Sequence, residues 1–225
     1  WVIFSELAKP DVLPITNYIQ ISDAQGGEIM GLANILGDLV VFMSHGIYRL
    51  SIPSTEPTSW SLSESDENLG CLTARSIVEW EGGVFFMGQD HLYYLDQNFN
   101  IKPVTTSIKD AYQARASSTG VIGYDPKRNE LVCKFGNDQS IVFRLDLNTF
   151  PKERWSIEGD ILGSDHVSLL EVDENSDLWS FTKSSQKLRK YTDSLLVTHV
   201  SNEATDFVAK TGWIKTPDLD TIATL

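Results

Sequence analysis

Four times along the chain, at intervals of 45 to 50 residues, one order of elements returns: apolar strand, polar turn, apolar strand, second turn, third strand. The units are IMGLANILGDLVVFMSHGIYRL (29–50), RSIVEWEGGVFFMGQDHLYYL (75–95), VIGYDPKRNELVCKFGNDQSIVFRL (121–145) and VSLLEVDENSDLWSFTKSSQKLRKY (167–191). Leu50, Leu95, Leu145 and Tyr191 close the third strand of each unit, and Phe42, Phe86 and Phe181 mark the second. A period of this length in paired strands is the mark of stacked β-sheet repeats. It predicts an all-β chain, a β-propeller of four-stranded antiparallel blades with about four blades visible.

A fourth strand per blade is supplied by TSWSLSE (58–64), NIKPVTT (100–106) and ERWSIEG (153–159), where Trp60 and Trp155 occupy matching places. The first strand of each unit is expected to line the axis, where space is short. It carries small residues: Gly31 and Ala33, Ser76, Gly120 and Gly123, Ser168. A β-sandwich of irregular hairpins is the competing arrangement. The one helix signal is Ser107 with Asp110 three residues on, a capping pattern opening a connector near 107–115 between the second and third units. The chain thus divides into strands leading into the first blade (1–27), four blades (28–192) and strands that close the propeller or lead into a further domain (193–225). It opens on Trp1 inside an apparent strand and ends in an apolar stretch, so it reads as part of a longer chain.

With 41% hydrophobic and 22% charged residues the chain has material for a sizeable core. No stretch approaches the roughly 18 consecutive apolar residues of a membrane span. Thirty-one acidic against 18 basic residues give a net charge of −13, which disfavours sequence-independent gripping of nucleic-acid phosphates. Cys71 and Cys133 fall at different points of their repeats and are expected to be free thiols, as in a protein assembled in a reducing cytoplasm.

Chemistry-bearing patterns are sparse. His45, His91, His166 and His199 are scattered without zinc spacing; His45 and His91 share a hairpin turn, which predicts exposed turn residues rather than ligands. Asp173, Asn175 and Asp177 resemble the start of a calcium loop, but Leu178 stands where its glycine should be and Ser184 where its bidentate glutamate should be, so a turn is expected. Lys183, Lys187, Arg189 and Lys190 concentrate positive charge on alternating strand positions, as a solvated blade edge would. There is no G-x-S-x-G elbow and no glycine-rich phosphate loop. Residue pattern alone therefore names no catalytic, cofactor-binding or metal residue and points away from an enzyme.

The opening, WVIFSELAKPDVLPITNYIQISDAQGGEIMGLANILGDLVVFMSHGIYRL, runs strand, Ser-Glu, proline-containing loop, Asn-Tyr, acidic and glycine-rich turn, Gly-Leu strand and L-V-V-F hairpin. Together with SWSLSE, the Gly70–Cys71 segment, ARSIVEWEGGVFFMGQDHLYYLD and TTSIKDAYQA, it resembles the propeller region of tailed-bacteriophage virion proteins, the tail nozzle (tail tubular) and packaged-DNA stabilisation proteins of short-tailed phages. The resemblance covers about the first 115 residues; beyond them only the repeat rhythm continues. It implies a non-enzymatic virion structural protein without cofactor, made in the host cytoplasm and placed in the tail. Its partners would be copies of itself in a ring, expected to be a hexamer, the portal or adaptor, and other tail proteins. DNA would pass through the channel without specific binding. The alternatives are a carbohydrate-binding or glycosidase-like propeller in host recognition and a protein-interaction propeller; the chain lacks the WD dipeptide and Asp-box patterns familiar from those groups.

Overall fold

A computed structural model describes residues 1–6, 9–21, 27–66, 68–136, 141–159, 167–182, 187–190 and 199–200. A short hairpin comes first, β1 (Val2–Ile3) pairing with β2 (Tyr18–Ile19). Blade 1 is β3 (Ile29–Ile35), β4 (Asp38–Met43), β5 (Ile47–Ser51) and β6 (Ser61–Asp66). Blade 2 is β7 (Val78–Trp80), β8 (Gly83–Met87), β9 (Leu92–Leu95) and β10 (Ile101–Pro103). After the connector α1 (Lys109–Gln113), blade 3 follows as β11 (Ala116–Asp125), β12 (Glu130–Gly136), β13 (Ile141–Asp146) and β14 (Trp155–Gly159). Blade 4 is β15 (Leu169–Val172), β16 (Leu178–Thr182), β17 (Lys187–Lys190) and β18 (His199–Val200). Each blade is an antiparallel meander in chain order, and β18 lies in the flank after residue 192.

The hairpins between first and second strands show how the period survives changes of turn. Blades 1 and 2 use two-residue turns, Leu36–Gly37 and Glu81–Gly82, with both residues at positive φ; that geometry matches the strand twist. Blade 3 uses a longer turn ending on Asn129 and blade 4 one ending on Ser176 and Asp177, again with a positive φ at Asn129 and Ser176.

In blades 1 to 3 the second strand is buried on both faces because layers lie on either side of it. Val40 and Phe42 meet Val84 and Phe86 between blades 1 and 2. Trp80, Phe85 and Met87 meet Leu131, Cys133 and Phe135 between blades 2 and 3, with Tyr112 of α1 sealing the cluster. Val121, Val132 and Val142 meet Val167, Leu170 and Leu178 between blades 3 and 4. The far side of blade 1, through Val41, Met43 and Tyr48, is covered by Ile21 and Val2 of the opening segment. Each fully buried side chain of this size stabilises the fold by about 1.5–3 kcal/mol.

The first strands converge as expected, β11 lying against β7 and β15. A Cβ at Gly123 would stand 2.6 Å from Leu170 Cβ of blade 4, and one at Gly120 would stand 2.7 Å from Met87 Sδ of blade 2. Ser76, expected in the first strand of blade 2, instead ends a 3-10 turn (Ala74–Ser76) before β7; it is fully buried, its hydroxyl donating to Thr73 O (2.8 Å) and accepting from Met87 N–H (3.1 Å).

Two local expectations are corrected. Ser107 does not cap α1: it lies in a 3-10 turn (Thr106–Ile108), and its N–H and hydroxyl donate to Glu153 Oε2 of blade 3 at 2.8 and 3.0 Å. A carboxylate from the next blade satisfies those donors instead of Asp110. Nor do Trp60 and Trp155 match. Leu50 pairs with Leu62 and Leu145 with Trp155, so Trp155 aligns with Leu62. The Trp155 indole donates to Val104 O at 2.9 Å across the blade 2–3 boundary, whereas that of Trp60 donates to Ser54 O at 2.8 Å within its own blade.

Candidate functional site

The segment from Asn68 to Leu72 crosses from blade 1 to blade 2 and pins both sheets: Cys71 N–H donates to Met43 O and Leu72 N–H to Met87 O, each at 2.8 Å. Gly70 makes the crossing possible, since any Cβ there would collide with the Ser44 backbone carbonyl. Beside this crossing opens a cleft of about 830 Å³, with Met30, Leu69, Tyr93 and Ile101 as its apolar lining and Ser44, His45, Gln89 and Asp90 as polar groups.

Ser44, His45 and Asp90 of the cleft are tied into turns. His45 is exposed, with Nδ1 3.0 Å from Ser44 Oγ, which also accepts the Glu28 N–H at 3.0 Å. Tyr93 OH donates to Asp90 Oδ1 at 2.6 Å. Cys71, the one thiol at the cleft, is 2% exposed and donates to Thr73 O. Burial pushes its pKa up, so the nucleophilic thiolate is disfavoured. Cys133 is fully buried and likewise raised by desolvation; both thiols are free.

His91 departs from the expectation of an exposed turn. It is 9% exposed, with Nδ1 3.0 Å from Thr105 Oγ1, and that oxygen also accepts Leu92 N–H at 3.1 Å. Its turn is roofed by Thr105 on the segment leading to α1, whereas the His45 side chain stays exposed at the cleft. His166 lies outside the described residues, as does the side chain of His199.

The Asp173–Asp177 run is a turn held by its own carboxylates. Asp173 Oδ1 accepts the N–H groups of Asn175 (2.9 Å) and Asp177 (2.8 Å), and Oδ2 accepts the Trp179 indole N–H (2.9 Å). These bonds hold the Asp173 carboxyl below its usual pKa. Asp177 bonds Lys127 of blade 3 and Lys190 of its own blade, and these two ammonium groups lower its pKa in the same sense. Asp177 is thus a tie between blades, a role sequence reasoning missed because its partner lies 50 residues upstream. Lys190, expected on a solvated edge, is spent in this pair and sits 6.0 Å from the Trp179 ring. Lys183 and the side chains of Lys187 and Arg189 lie outside the described residues. Among the described residues no group of three or more His, Cys, Asp or Glu is placed to hold a metal, and no helix is long and apolar enough to cross a membrane.

A second cleft, of about 440 Å³, lies where the first strands of blades 2, 3 and 4 converge, with Arg75, Glu79 and Glu171 among apolar neighbours. Glu79 Oε1 accepts the N–H of Asn34 in blade 1 at 3.0 Å.

No protein-family model and no curated protein matches the chain. Among solved structures, it is similar to virginiamycin B lyase from Staphylococcus aureus (TM-score 0.54, 13% identity, 80% of this chain and 58% of that one). It is also similar to YCF48 bound to D1 peptide (0.52, 12%, 80% and 55%) and to an auxiliary nutrient binding protein from Bacteroides thetaiotaomicron (0.50, 12%, 76% and 40%). The chain therefore spans about half the length of these structures. At such identities the likeness concerns the fold alone: the chain has the β-propeller architecture, with four four-stranded blades among its described residues.

Proposed function

We propose that this chain is a non-enzymatic structural protein of a tailed-bacteriophage virion, a subunit of the tail nozzle or head-to-tail conduit ring through which DNA leaves the capsid. The observation that carries this reading is how the polar groups are used. Asp173, Asp177, His91, Glu153, Trp155 and Tyr112 each bond a turn, a connector or a neighbouring blade. Side chains committed in this way make a rigid module for assembly. The phage-like segments of the first 115 residues fold into the hairpin, blades 1 and 2 and α1, so the resemblance follows whole structural units. With a net charge of −13, carboxylates facing the conduit would repel the DNA backbone and keep it from adhering. Electron microscopy of the protein mixed with portal rings is the test. An axial ring docked on the portal supports the reading, and a monomer that never joins the portal overturns it.

The cleft between blades 1 and 2 favours a second reading, a peptide-binding interaction propeller; a solved propeller of similar fold is bound to a peptide. That reading expects thermal stabilisation by a peptide ligand and loss of it when Tyr93 is replaced by alanine, because a ligand of the folded state alone raises apparent stability.

A further inference from the structure

One carboxylate at the cleft between blades 1 and 2 is held in place without a cation. Asp38, Asp96 and Asp177 each meet a lysine or arginine of their own chain. Asp90, in the turn between β8 and β9, meets none among the described residues. Its Oδ1 accepts from the Tyr93 hydroxyl at 2.6 Å, and its Oδ2 takes no protein donor.

The ring that aims this carboxylate is itself fixed. Tyr93 stacks on Phe86 with centroids 5.6 Å apart and planes at 20°. It also lies so close to Gly88 that a Cβ there would stand 2.6 Å from Tyr93 Cε2. A carboxylate positioned by a wedged ring is preorganised, so a ligand that binds it is spared the cost of ordering it.

The surroundings select the sign of that ligand. Among the described residues of the lining Asp90 is the one acid, and none is a lysine or arginine. With a net charge of −13 the chain as a whole attracts cations and repels anions. Met30, Leu69 and Ile101 supply an apolar wall in the same cleft. A lysine or arginine side chain has both parts that such a site takes, a charged head and a methylene stem that covers apolar surface. At about 830 Å³ the cleft has room for more than one side chain, as a peptide requires.

We infer that the cleft binds a peptide segment of a partner protein through a lysine or arginine, its head on Asp90 and its stem along Tyr93 and the apolar wall. This names the partner chemistry of the peptide-binding reading and rests on that reading.

Fluorescence anisotropy with three pools of labelled, acetylated hexapeptides tests it. Each pool is randomised over uncharged residues around a central lysine, glutamate or leucine. At about 150 mM salt, where the screening length is about 8 Å, the lysine pool is expected to bind about tenfold tighter than the other two. Asp90→Asn is expected to remove that preference. Its Oδ1 still accepts from Tyr93, so the melting temperature is kept and only the charge is lost. Glu174→Gln, at an exposed acid on the blade 4 turn, makes the same change in net charge and is expected to keep the preference. A preference that survives Asp90→Asn, or that Glu174→Gln lowers as much, overturns the inference. Glutamate or leucine peptides that bind as well as lysine peptides also overturn it, and leave the peptide reading standing where Tyr93→Ala abolishes their binding. Binding by none of the pools overturns both.

Discussion

Replacing Tyr112 by phenylalanine tests how the connector holds blades 2 and 3 together. Tyr112 is fully buried in a helix of five residues, too short to be stable by itself. Its ring meets Phe135 edge-on at 4.8 Å, and its hydroxyl donates to Gly88 O of blade 2 at 2.5 Å. Burial pushes the phenol pKa up, so the donor proton stays in place. Tyr112→Phe keeps the ring contact and removes the donor, leaving a buried carbonyl without it, a loss of about 1–3 kcal/mol. At about 2–4 °C per kcal/mol for a chain of this size, the melting temperature is expected to fall by roughly 2–12 °C. Tyr112→Ala also empties the ring's site, for a total nearer 3–5 kcal/mol or more. Urea unfolding followed by tryptophan fluorescence reads both, with unchanged slope as the sign that stability alone has moved. A phenylalanine variant within about 0.5 kcal/mol of the parent would refute the claim that this bond secures the connector.

Gly123→Val puts carbon against Leu170 between blades 3 and 4 and is expected to destabilise by about 1–3 kcal/mol, measured as the urea midpoint; an unchanged midpoint would mean the first strands do not converge there. Cys71 and Cys133 are expected to resist a thiol reagent in the native protein and to react in denaturant, and fast native labelling of either would contradict its burial. Stability is expected to fall on acidification. Asp173 and Asp177 have carboxyls lowered by their bonds. In Asp38 and Asp96 burial raises the pKa, but hydrogen bonds from Arg49 and Ile52, and from Asn100 and Asn98, outweigh it. A lowered folded pKa means the unfolded chain takes up protons first, so this stabilisation is present above about pH 3.9 and is lost as pH falls through the folded values. Glu130, raised chiefly by burial, acts in the opposite sense and loses its contribution as pH rises. Urea midpoints between neutral pH and pH 3 check the balance, and Asp177→Asn is expected to flatten the acid limb.

The blade period was legible because it rests on local pattern: alternation, turn residues and second strands that in blades 1 to 3 are buried on both faces. Leu50, Leu95 and Leu145 close equivalent third strands, as their spacing implied. What escaped was decided by partners distant in sequence. Ser107 looked like a helix cap because Asp110 follows it, yet Glu153, 46 residues on, competes for the same donors and wins. His91 and His45 share a turn, but only His91 meets Thr105 and becomes interior. Trp60 and Trp155 share their neighbours in sequence and differ in register by two residues, which a single bulge or a longer turn can introduce without a mark in composition.

The same reasoning explains why the ends of the stack are informative. Within a repeat, the blade interior is set by the blade's own residues, whereas burial of Trp179, Phe181 and Leu32 depends on what stands beside the blade. Their counterparts in the other blades supply an internal control: Val40, Phe85 and Val132 are fully buried at the register point where Trp179 is half-buried. A large aromatic at a position that every other blade covers is poorly matched to water. Trp179 is fixed there by its bond to Asp173, which in turn holds the turn that brings Asp177 to Lys127. The bonds that tie blade 4 to blade 3 therefore also fix the position of Trp179 on the opposite face of the blade.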